Sequence, residues 1–448
     1  MLYLWKMKIK KLILENFKQF SSIEIDFPDS NVVVLIGNNG AGKTTLLDAI
    51  SLCFTHFTGE LISNTEAYDI DSWFLTDYIT FGANYSKATV LFNLNFPPES
   101  QFYASEEQIN RISITKERNS PGFNFEKTPK NFVNRIKERI IKSKLSNIPI
   151  LANYNVNRTC TIEFSKKAEK KTYDEKLNAY QGAMNIILPS FDSFEKWFIK
   201  QVISENATKV AKKNLDYKLQ SLENVRNAFN RFMKEIAPEI FSELRIESDS
   251  NNIIDFSQDI IENLYINKNS TSMKVNLLSS GERMIIGLVC DIARRLTIAN
   301  ENSENALDGQ GIVLIDELEL HLHPNWQRTI VSALTSTFIN IQFIFTSHSP
   351  LVLSGMKREN IIMLNNGEII PYEELPDIYS ATADEILEKI LLAENAIDDY
   401  RIQKKEIDAL FNKLDFISAE KKLNELKSIV KSLPQWLKDY EQRISFVK

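Results

Sequence analysis

Four short blocks of residues carry the groups in this chain that could do chemistry on a phosphate. In chain order they are Gly37-Asn38-Asn39-Gly40-Ala41-Gly42-Lys43-Thr44, Leu278-Ser279-Ser280-Gly281-Glu282, Ile312-Val313-Leu314-Ile315-Asp316-Glu317 and Thr346-Ser347-His348-Ser349-Pro350. Each block alone can occur by chance. Together they supply backbone amides, a lysine, hydroxyls, carboxylates and an imidazole, which are the groups that bind and hydrolyse a nucleoside triphosphate.

The first block fits the phosphate-binding loop pattern G-x-x-x-x-G-K-[ST]. It follows an unbroken apolar run at residues 32–36, typical of a buried strand, and precedes a predicted helix start at residues 44–50. The backbone N–H groups of such a loop and the positive end of the helix dipole surround phosphates. We therefore expect ATP to bind here, with Lys43 at the β- and γ-phosphates and Thr44 on Mg²⁺. The expected nucleotide-binding residues of this block are Gly37, Asn38, Asn39, Gly40, Ala41, Gly42, Lys43, Thr44 and Thr45.

The third block supplies two acids at a strand end. The apolar run at residues 312–315 predicts a buried strand that delivers Asp316 and Glu317 at its carboxyl end, where α/β sheets bind their ligands. We expect Asp316 to hold Mg²⁺, mostly through water, and Glu317 to act as the general base for the attacking water. The alternative is a strand end with two solvated acids, which the phosphate-binding loop makes the weaker interpretation.

The fourth block places a histidine after another apolar run, residues 343–345. We expect His348 to contact the γ-phosphate beside the two acids. The separation between Glu317 and His348 is long enough for one crossover helix between parallel strands. The alternative is a histidine with a purely structural hydrogen bond.

The second block resembles the signature sequence of ABC-type ATPases. It precedes residues 283–296, whose apolar stripe predicts a helix. In that family the signature faces the γ-phosphate bound to the other copy. The resemblance implies a head-to-tail homodimer, or a higher oligomer, with two nucleotides at the interface, and it implies nucleotide contact for Ser279, Ser280, Gly281 and Glu282. The alternative is a serine-rich helix cap.

The N-terminal stretch Leu12-Ile13-Leu14-Glu15-Asn16-Phe17-Lys18-Gln19-Phe20 resembles the opening of SMC/RecF-like ATPases. In those proteins a basic residue after Asn-Phe touches a nucleotide phosphate, so the resemblance implies this role for Lys18. Residues 316–324, Asp-Glu-Leu-Glu-Leu-His-Leu-His-Pro, are similar to the same branch and to OLD-type ATPases. His321 and His323 could be metal ligands, but we favour a loop at the dimer interface because no further ligand is evident.

Composition narrows the class of protein. The net charge of −6 excludes a globally basic nucleic-acid binder. The cysteines Cys53, Cys160 and Cys290 lack the spacing of a metal site and fit a reduced compartment. No apolar run is long enough to span a membrane, and the N-terminus lacks a signal-peptide pattern. We expect a cytoplasmic protein with no membrane partner.

The spacing of the blocks predicts an α/β fold, an ABC-type ATPase head with a mixed or parallel sheet core, a helical insert and a helical C-terminal tail. We expect the core in residues 1–100 and 271–370, a partly helical insert in residues 101–270, and a helical region in residues 371–448. Shorter patterns predict an antiparallel strand at residues 89–96, an amphipathic helix at residues 214–241 and a polar surface loop at residues 300–311.

Two segments of the insert leave their roles open. Residues 148–158 predict a strand ending near Tyr154 and Arg158, where ABC ATPases carry a magnesium-contacting glutamine that is not evident here. Arg158 could contact phosphate, the opposing copy, or a structural salt-bridge partner. A basic run at residues 127–144 could bind a nucleic-acid backbone or form the solvated face of a helix. Its cations are Lys127, Lys130, Arg135, Lys137, Arg139, Lys142 and Lys144.

Together the phosphate-binding loop, the segment from Tyr154 to Arg158, the Ser280-Gly281-Glu282-Arg283 signature, the His-Leu-His-Pro loop and the helical tail resemble the ATPase subunit (PtuA-like) of Septu-type antiphage defence, also found in some retron systems. The resemblance implies a separate HNH-type nuclease whose attack is gated by the ATP state. No acidic nuclease pattern follows His348. The alternatives are a RecF/SMC-like DNA-repair ATPase and, less favoured by the N-terminal and His-Leu-His-Pro elements, the motor subunit of an ABC transporter.

Overall fold

The structure is a computed structural model of two compact units, Met1–Leu391 and Leu392–Lys448. It describes residues 6–62, 76–95, 109–120, 123–126, 133, 137, 147–156, 175–184, 191–248, 262–301, 303, 305–365, 367–375, 378, 381–383, 385–386, 399–413, 415–429, 440 and 442–444.

The strands and helices of these residues are numbered in chain order. The strands are β1 (Lys6–Phe17), β2 (Phe20–Asp26), β3 (Val32–Gly37), β4 (Tyr85–Asn95), β5 (Ile109–Glu117), β6 (Phe123–Glu126), β7 (Ile150–Tyr154), β8 (Phe241–Ser248), β9 (Glu262–Lys268), β10 (Thr271–Lys274), β11 (Gly311–Ile315), β12 (Ile341–Thr346), β13 (Ile361–Asn365) and β14 (Glu368–Ile370). The helices are α1 (Lys43–Ile62), α2 (Phe191–Lys212), α3 (Gln220–Ile236), α4 (Ser280–Ala299), α5 (Pro324–Thr337), α6 (Pro350–Leu353), α7 (Asp399–Asn412) and α8 (Phe416–Ile429).

A six-stranded sheet forms the centre of the larger unit, in the order β14-β13-β3-β12-β11-β7. All neighbours in it are parallel except β13 and β14. Strands β3, β7, β11 and β12 are buried along their whole length, which explains why their sequences are mainly apolar. Helix α5 connects β11 to its parallel neighbour β12, as the spacing of the third and fourth blocks predicts. The carboxyl ends of β3, β11 and β12 therefore lie at one edge of the sheet.

A second, antiparallel sheet has the order β2-β1-β4-β5-β6. Helix α1 contacts β4 and β5 of this sheet and β3, β11 and β12 of the central sheet. Because it lies between two sheets, α1 is buried on nearly all sides, and Phe54 and Phe57 pack against Phe92 at ring-centroid distances of 5.3 and 6.3 Å. The strand predicted at residues 89–96 is confirmed within β4. The expected α/β fold with mixed sheets is likewise confirmed.

The helix predicted at residues 214–241 is confirmed only for α3, Gln220–Ile236. At its beginning, the Asn214 side chain accepts a hydrogen bond from the Asp216 N–H (3.0 Å), and Leu215 is 85 % exposed. This local turn competes with the helix although the apolar spacing continues through it. At its end, Pro238 disfavours helical backbone at Ala237. Phe241 then begins β8, in the three-stranded sheet β10-β9-β8.

The surface loop expected at residues 300–311 is partly wrong. Ala306 and Leu307 are buried, at 1 % and 2 % exposure, in the short 3-10 turn Ala306–Asp308. This turn contacts α3 and α4, so its two apolar side chains complete the core over those helices.

In the smaller unit, the helices α7 and α8 lie within the region predicted to be helical at residues 371–448. Their shared core consists of Ile407, Ala419, Leu423, Tyr440 and Ile444, with Leu410 and Phe411 packed against it. None of the described helices of the chain is long and apolar enough to cross a membrane.

Candidate functional site

A cavity of about 200 Å³ lies at the carboxyl edge of the central sheet. It is lined by Gln19, Asn39, Gly40, Gly42, Lys43, Thr44, Thr45, Asp316, Glu317, Thr346 and His348. The first, third and fourth sequence blocks are therefore brought together in one place, although they come from distant parts of the chain.

The phosphate-binding loop connects β3 to α1 with a backbone that requires glycine. Gly42 has a φ of +103°, and a Cβ atom there would lie 2.3 Å from the Phe20 ring. Lys43 donates hydrogen bonds from Nζ to the carbonyls of Gly37 (2.9 Å) and Asn38 (3.1 Å), while the Ala41 N–H donates to the Asn38 carbonyl (3.1 Å). Burial lowers the pKa of Lys43, partly opposed by the nearby acids. Hydrogen bonds from Lys43 and Ala41 thus hold the backbone of the loop in a closed turn.

The two residues expected to hold Mg²⁺ are in direct contact. The Thr44 hydroxyl donates to both carboxylate oxygens of Asp316, at 3.2 and 3.0 Å. Asp316 is only 3 % exposed. A hydroxyl and a carboxylate at this distance offer the hard oxygen ligands that Mg²⁺ prefers, so the residues fit the ion.

Thr346, which the sequence analysis did not single out, organises both acids. Its hydroxyl donates to Asp316 Oδ1 (2.6 Å) and accepts from the Glu317 N–H (2.7 Å). It is completely buried at the end of β12. The available signal in the sequence was a hydroxyl residue directly after the apolar run at residues 343–345, at the carboxyl end of the strand.

Glu317 lies in the cavity on an unusual backbone. Its φ is +47°, in the left-handed region that residues with a Cβ rarely adopt. The hydrogen bond from its N–H to Thr346 and the one from the Leu318 N–H to the Thr346 carbonyl (3.1 Å) hold this conformation. Strain of this kind persists where the surrounding structure enforces it, and it is common in active sites.

The surroundings of His348 favour its neutral imidazole form. Burial lowers its pKa, and the positive charge of Lys43 acts in the same direction, against three acids that act to raise it. Its main-chain N–H donates to Glu319 Oε1. The other oxygen of Glu319 is buried and has no hydrogen-bond partner among the described residues. Glu319 therefore fixes the main chain at His348 through this hydrogen bond, a role that was not predicted from the sequence.

The signature residues lie elsewhere and do not line this cavity. The Ser279 hydroxyl caps α4 by accepting from the Glu282 N–H (3.4 Å), and Glu282 accepts from the Ser279 N–H (3.0 Å) and pairs with Lys268 (2.7 Å). Burial acts to raise the pKa of Glu282, but hydrogen bonds from Lys268 and Ser279 bring it below its usual value. Ser280 begins the helix itself. The helix-cap interpretation is thus structurally correct, and it leaves the tip of the helix available for a further role.

Gly281 joins the signature to the His-Leu-His-Pro loop. A Cβ atom at Gly281 would lie 2.2 Å from the His321 carbonyl oxygen, so only glycine permits this approach. His323 caps α5 by accepting from the Asn325 N–H (3.3 Å). Within the described part of the chain, no cluster of three or more His, Cys, Asp or Glu side chains is arranged to hold a metal ion.

Lys18, which was expected to contact a nucleotide phosphate, forms an ion pair within the chain. Its ammonium forms an ion pair with Asp48 of α1 (2.9 Å) and lies 4.4 Å from the centre of the Tyr78 ring. Lys18 does not line the cavity, whereas its neighbour Gln19 does and accepts from the Thr45 hydroxyl (3.2 Å). Contact between Lys18 and a phosphate remains a prediction.

The basic run at residues 127–144 lies outside the described residues except for Val133 and Lys137. Burial lowers the pKa of Lys137. Arg158 also lies outside the described residues.

The family model described as "AAA domain, putative AbiEii toxin, Type IV TA system" matches residues 32–354, which include all four sequence blocks. The chain belongs to this AAA-domain family. The match begins at β3 and ends just after α6, so it contains the whole central sheet except β13 and β14.

The chain is also similar to individual proteins named for retron and Septu systems. The probable ATPase of retron Ec83 from Escherichia coli is 31 % identical over 408 residues, which cover 81 % of this chain and 72 % of that protein. The Septu protein PtuA of Bacillus mycoides (strain KBAB4) is 27 % identical over 376 residues, 82 % of this chain and 42 % of that protein. The relationship to retron ATPases and to Septu PtuA that the sequence suggested is thereby confirmed.

Among solved structures, an SMC head bound to the C-winged helix domain of ScpA has 15 % identity and a TM-score of 0.44, covering 81 % of this chain and 96 % of that one.

The role of Thr346 can be tested by removing its hydroxyl. We expect Thr346→Val to lower the rate constant of ATP hydrolysis about 10- to 100-fold, because residues that orient a metal ligand typically matter to this extent. Steady-state hydrolysis at several Mg²⁺ concentrations measures the effect. Thr346→Ser keeps the hydroxyl and is the matched control. A valine variant as active as the serine variant would show that the hydroxyl does not organise the acids.

Proposed function

We propose that this chain is a Mg²⁺-dependent ATPase whose nucleotide state controls a separate nuclease in antiphage defence. The observation that carries the ATPase proposal is the Asp316 carboxylate, which accepts hydrogen bonds from Thr44 of the phosphate-binding loop and from Thr346 of β12 in one cavity. Glu317 and His348 line the same cavity.

In the proposed hydrolysis, different groups of the chain bind the phosphates, bind the metal ion and accept the proton. Loop N–H groups and Lys43 bind the phosphates, and Thr44 and Asp316 hold Mg²⁺, which would neutralise charge on the phosphate oxygens. Glu317 accepts a proton from the attacking water. His348, neutral because its pKa is lowered, can donate or accept a hydrogen bond at the γ-phosphate without adding charge.

We propose that two copies complete each other's sites in a head-to-tail homodimer, alone or within a higher oligomer. The support is the position of Ser279, Ser280 and Gly281 at the N-terminal end of the 20-residue helix α4, away from the cavity of their own copy. A helix N-terminus favours phosphate, so this end suits the nucleotide bound by a second copy. The His-Leu-His-Pro loop, packed on Gly281, would lie at the same interface.

The proposed partner is an HNH-type nuclease encoded separately. The support is the similarity to a retron ATPase and to a Septu protein. Contact with nucleic acid through the basic run at residues 127–144 is a further part of this proposal. The alternative of a DNA-repair ATPase assigns DNA binding to this chain alone.

Lys43→Ala tests the phosphate-binding role. We expect ATP affinity to fall about 10- to 100-fold, since a hydrogen bond to a charged group contributes about 1.5–3 kcal/mol. Isothermal titration calorimetry with a non-hydrolysable ATP analogue measures it. The exposed Lys357, outside the cavity, provides the control variant Lys357→Ala. Equal affinities for the two variants would contradict the assignment of Lys43.

Glu317→Gln tests the general base. We expect hydrolysis to slow ~10²–10⁴-fold with ATP binding retained, because the amide cannot accept the proton. With hydrolysis blocked, ATP should also drive the chain into a stable dimer, detected by light scattering after size-exclusion chromatography. Near wild-type turnover would exclude Glu317 as the base, and a monomer at saturating ATP would count against the two-copy site.

Co-purification tests the defence proposal. The tagged chain is expressed with its neighbouring genes in its native host and purified in the presence of ATP. We expect a small HNH-type nuclease to co-purify, and ATP to change the rate at which the complex cleaves nucleic acid. Recovery of DNA without a protein partner would instead favour the DNA-repair ATPase.

A further inference from the structure

Tyr154 ends β7, the strand beside the acidic strand β11. The two strands are parallel, with Tyr154 paired to Ile315. The main-chain carbonyl of Tyr154 accepts a hydrogen bond from the Asp316 N–H (2.8 Å). The backbone of Tyr154 therefore fixes the position at which the Asp316 side chain enters the cavity.

The side chain of the same residue contacts α4. The Tyr154 hydroxyl donates to Asp291 Oδ2 (2.8 Å), and Tyr154 is only 2 % exposed. Asp291 lies about three turns along the helix from Ser280, the first residue of α4. One residue thus connects the metal-binding acid to the helix that presents the signature.

The connection on the helix side is a buried ionic cluster. Asp291 also accepts from Arg294 (2.9 and 2.7 Å) and Arg295 (2.8 Å), and Arg295 donates to the carbonyls of Ala179 (2.7 Å) and Gln181 (3.2 Å). Burial raises the pKa of Tyr154 and the charge of Asp291 raises it further, so the hydroxyl remains a donor. Burial acts to raise the pKa of Asp291, but the two arginines outweigh it and keep the carboxylate ionised.

A purely stabilising role would not require this arrangement. Buried ion pairs contribute little net stability compared with apolar residues of similar size, because desolvation offsets their attraction. A phenylalanine at Tyr154 would fill the same space without a polar group to satisfy. What the hydroxyl adds is a directional link, since a hydrogen bond in a low-dielectric interior depends strongly on distance and angle.

We propose that Tyr154 is a positioning residue that couples the orientation of helix α4 to the position of Asp316. The proposal rests on the proposed function, in which α4 presents Ser279, Ser280 and Gly281 to the nucleotide of a second copy. A change at the Mg²⁺ end of β11 is transmitted through the Tyr154 main chain and hydroxyl to Asp291. The rigid helix then carries it to the signature. Tyr154 thereby links ATP binding in one copy to docking of the other.

The test compares two buried tyrosine hydroxyls, that of Tyr154 at the end of β7 and that of Tyr180 in the 3-10 helix Glu175–Tyr180. Tyr180 is also buried, at 3 % exposure, and its hydroxyl donates to the Pro149 carbonyl (2.6 Å), next to the first residue of β7 and at the end remote from Asp316. Tyr154→Phe and Tyr180→Phe each remove one buried hydroxyl and keep the ring. We expect Tyr154→Phe to lose more melting temperature than Tyr180→Phe, because its hydroxyl binds a charged group, so kcat is compared at a temperature at which both variants are fully folded.

Only Tyr154→Phe should alter the coupling between the position of Asp316 and the orientation of α4. We expect it to lower kcat about 10- to 100-fold, as for other residues that orient a metal ligand, with the Kd for ATP unchanged. In the Glu317→Gln background, it should also weaken ATP-dependent dimerisation at least tenfold by sedimentation analysis. Tyr180→Phe should leave kcat and dimerisation at wild-type values.

The outcomes separate this proposal from the ATPase proposal. If the wild type hydrolyses ATP and Tyr154→Phe matches Tyr180→Phe in kcat and dimerisation, the coupling role is wrong and the ATPase remains. If both variants lose kcat in proportion to their melting temperatures, the hydroxyl is only structural and the coupling role is again wrong. If the wild type itself fails to hydrolyse ATP with Mg²⁺, both proposals are overturned.

Discussion

The buried carboxylate of Asp316 constrains the arrangement of every element around the site. A carboxylate at 3 % exposure is unfavourable unless donors surround it, and these donors come from Thr44 in the first turn of α1 and Thr346 of β12. The N–H of Asp316 donates to the main-chain carbonyl of Tyr154 in β7. Strands β11 and β12 must therefore keep their register, because a shift of one residue would turn the Asp316 or the Thr346 side chain to the opposite face.

The same constraint places the cavity and the signature residues in different parts of the larger unit. The cavity needs carboxyl ends of parallel strands, and these strands are apolar because helices and a second sheet cover them. The signature is on a helix that packs behind this layer and is held by Lys268, by the His321 carbonyl region and by the Asp291 cluster. These contacts come from β9, from the loop after β11 and from β7, so α4 is held by three separate elements.

Features encoded within a few consecutive residues were predictable from the sequence. The phosphate-binding loop, the apolar strands and the crossover between β11 and β12 each depend on local pattern, and the structure has them. The links made by Thr346 and Tyr154 were not predictable, because they depend on which parallel strands are neighbours and in what register. The predicted start of the helix at residue 214 was wrong for a different reason. The apolar periodicity extends beyond α3, but the turn at Asn214 ends the helical backbone before it. Lys18 shows the same limit, because only the fold reveals that Asp48 lies within reach of its ammonium.

The left-handed backbone of Glu317 has a consequence for how this position can evolve. Asparagine adopts a φ of this kind with less strain than glutamate, so the backbone conformation by itself favours a different residue at this position. The presence of glutamate has to be explained by its side chain, which lines the cavity. Substitutions that relax the backbone at position 317 would therefore remove the group proposed to act on the attacking water.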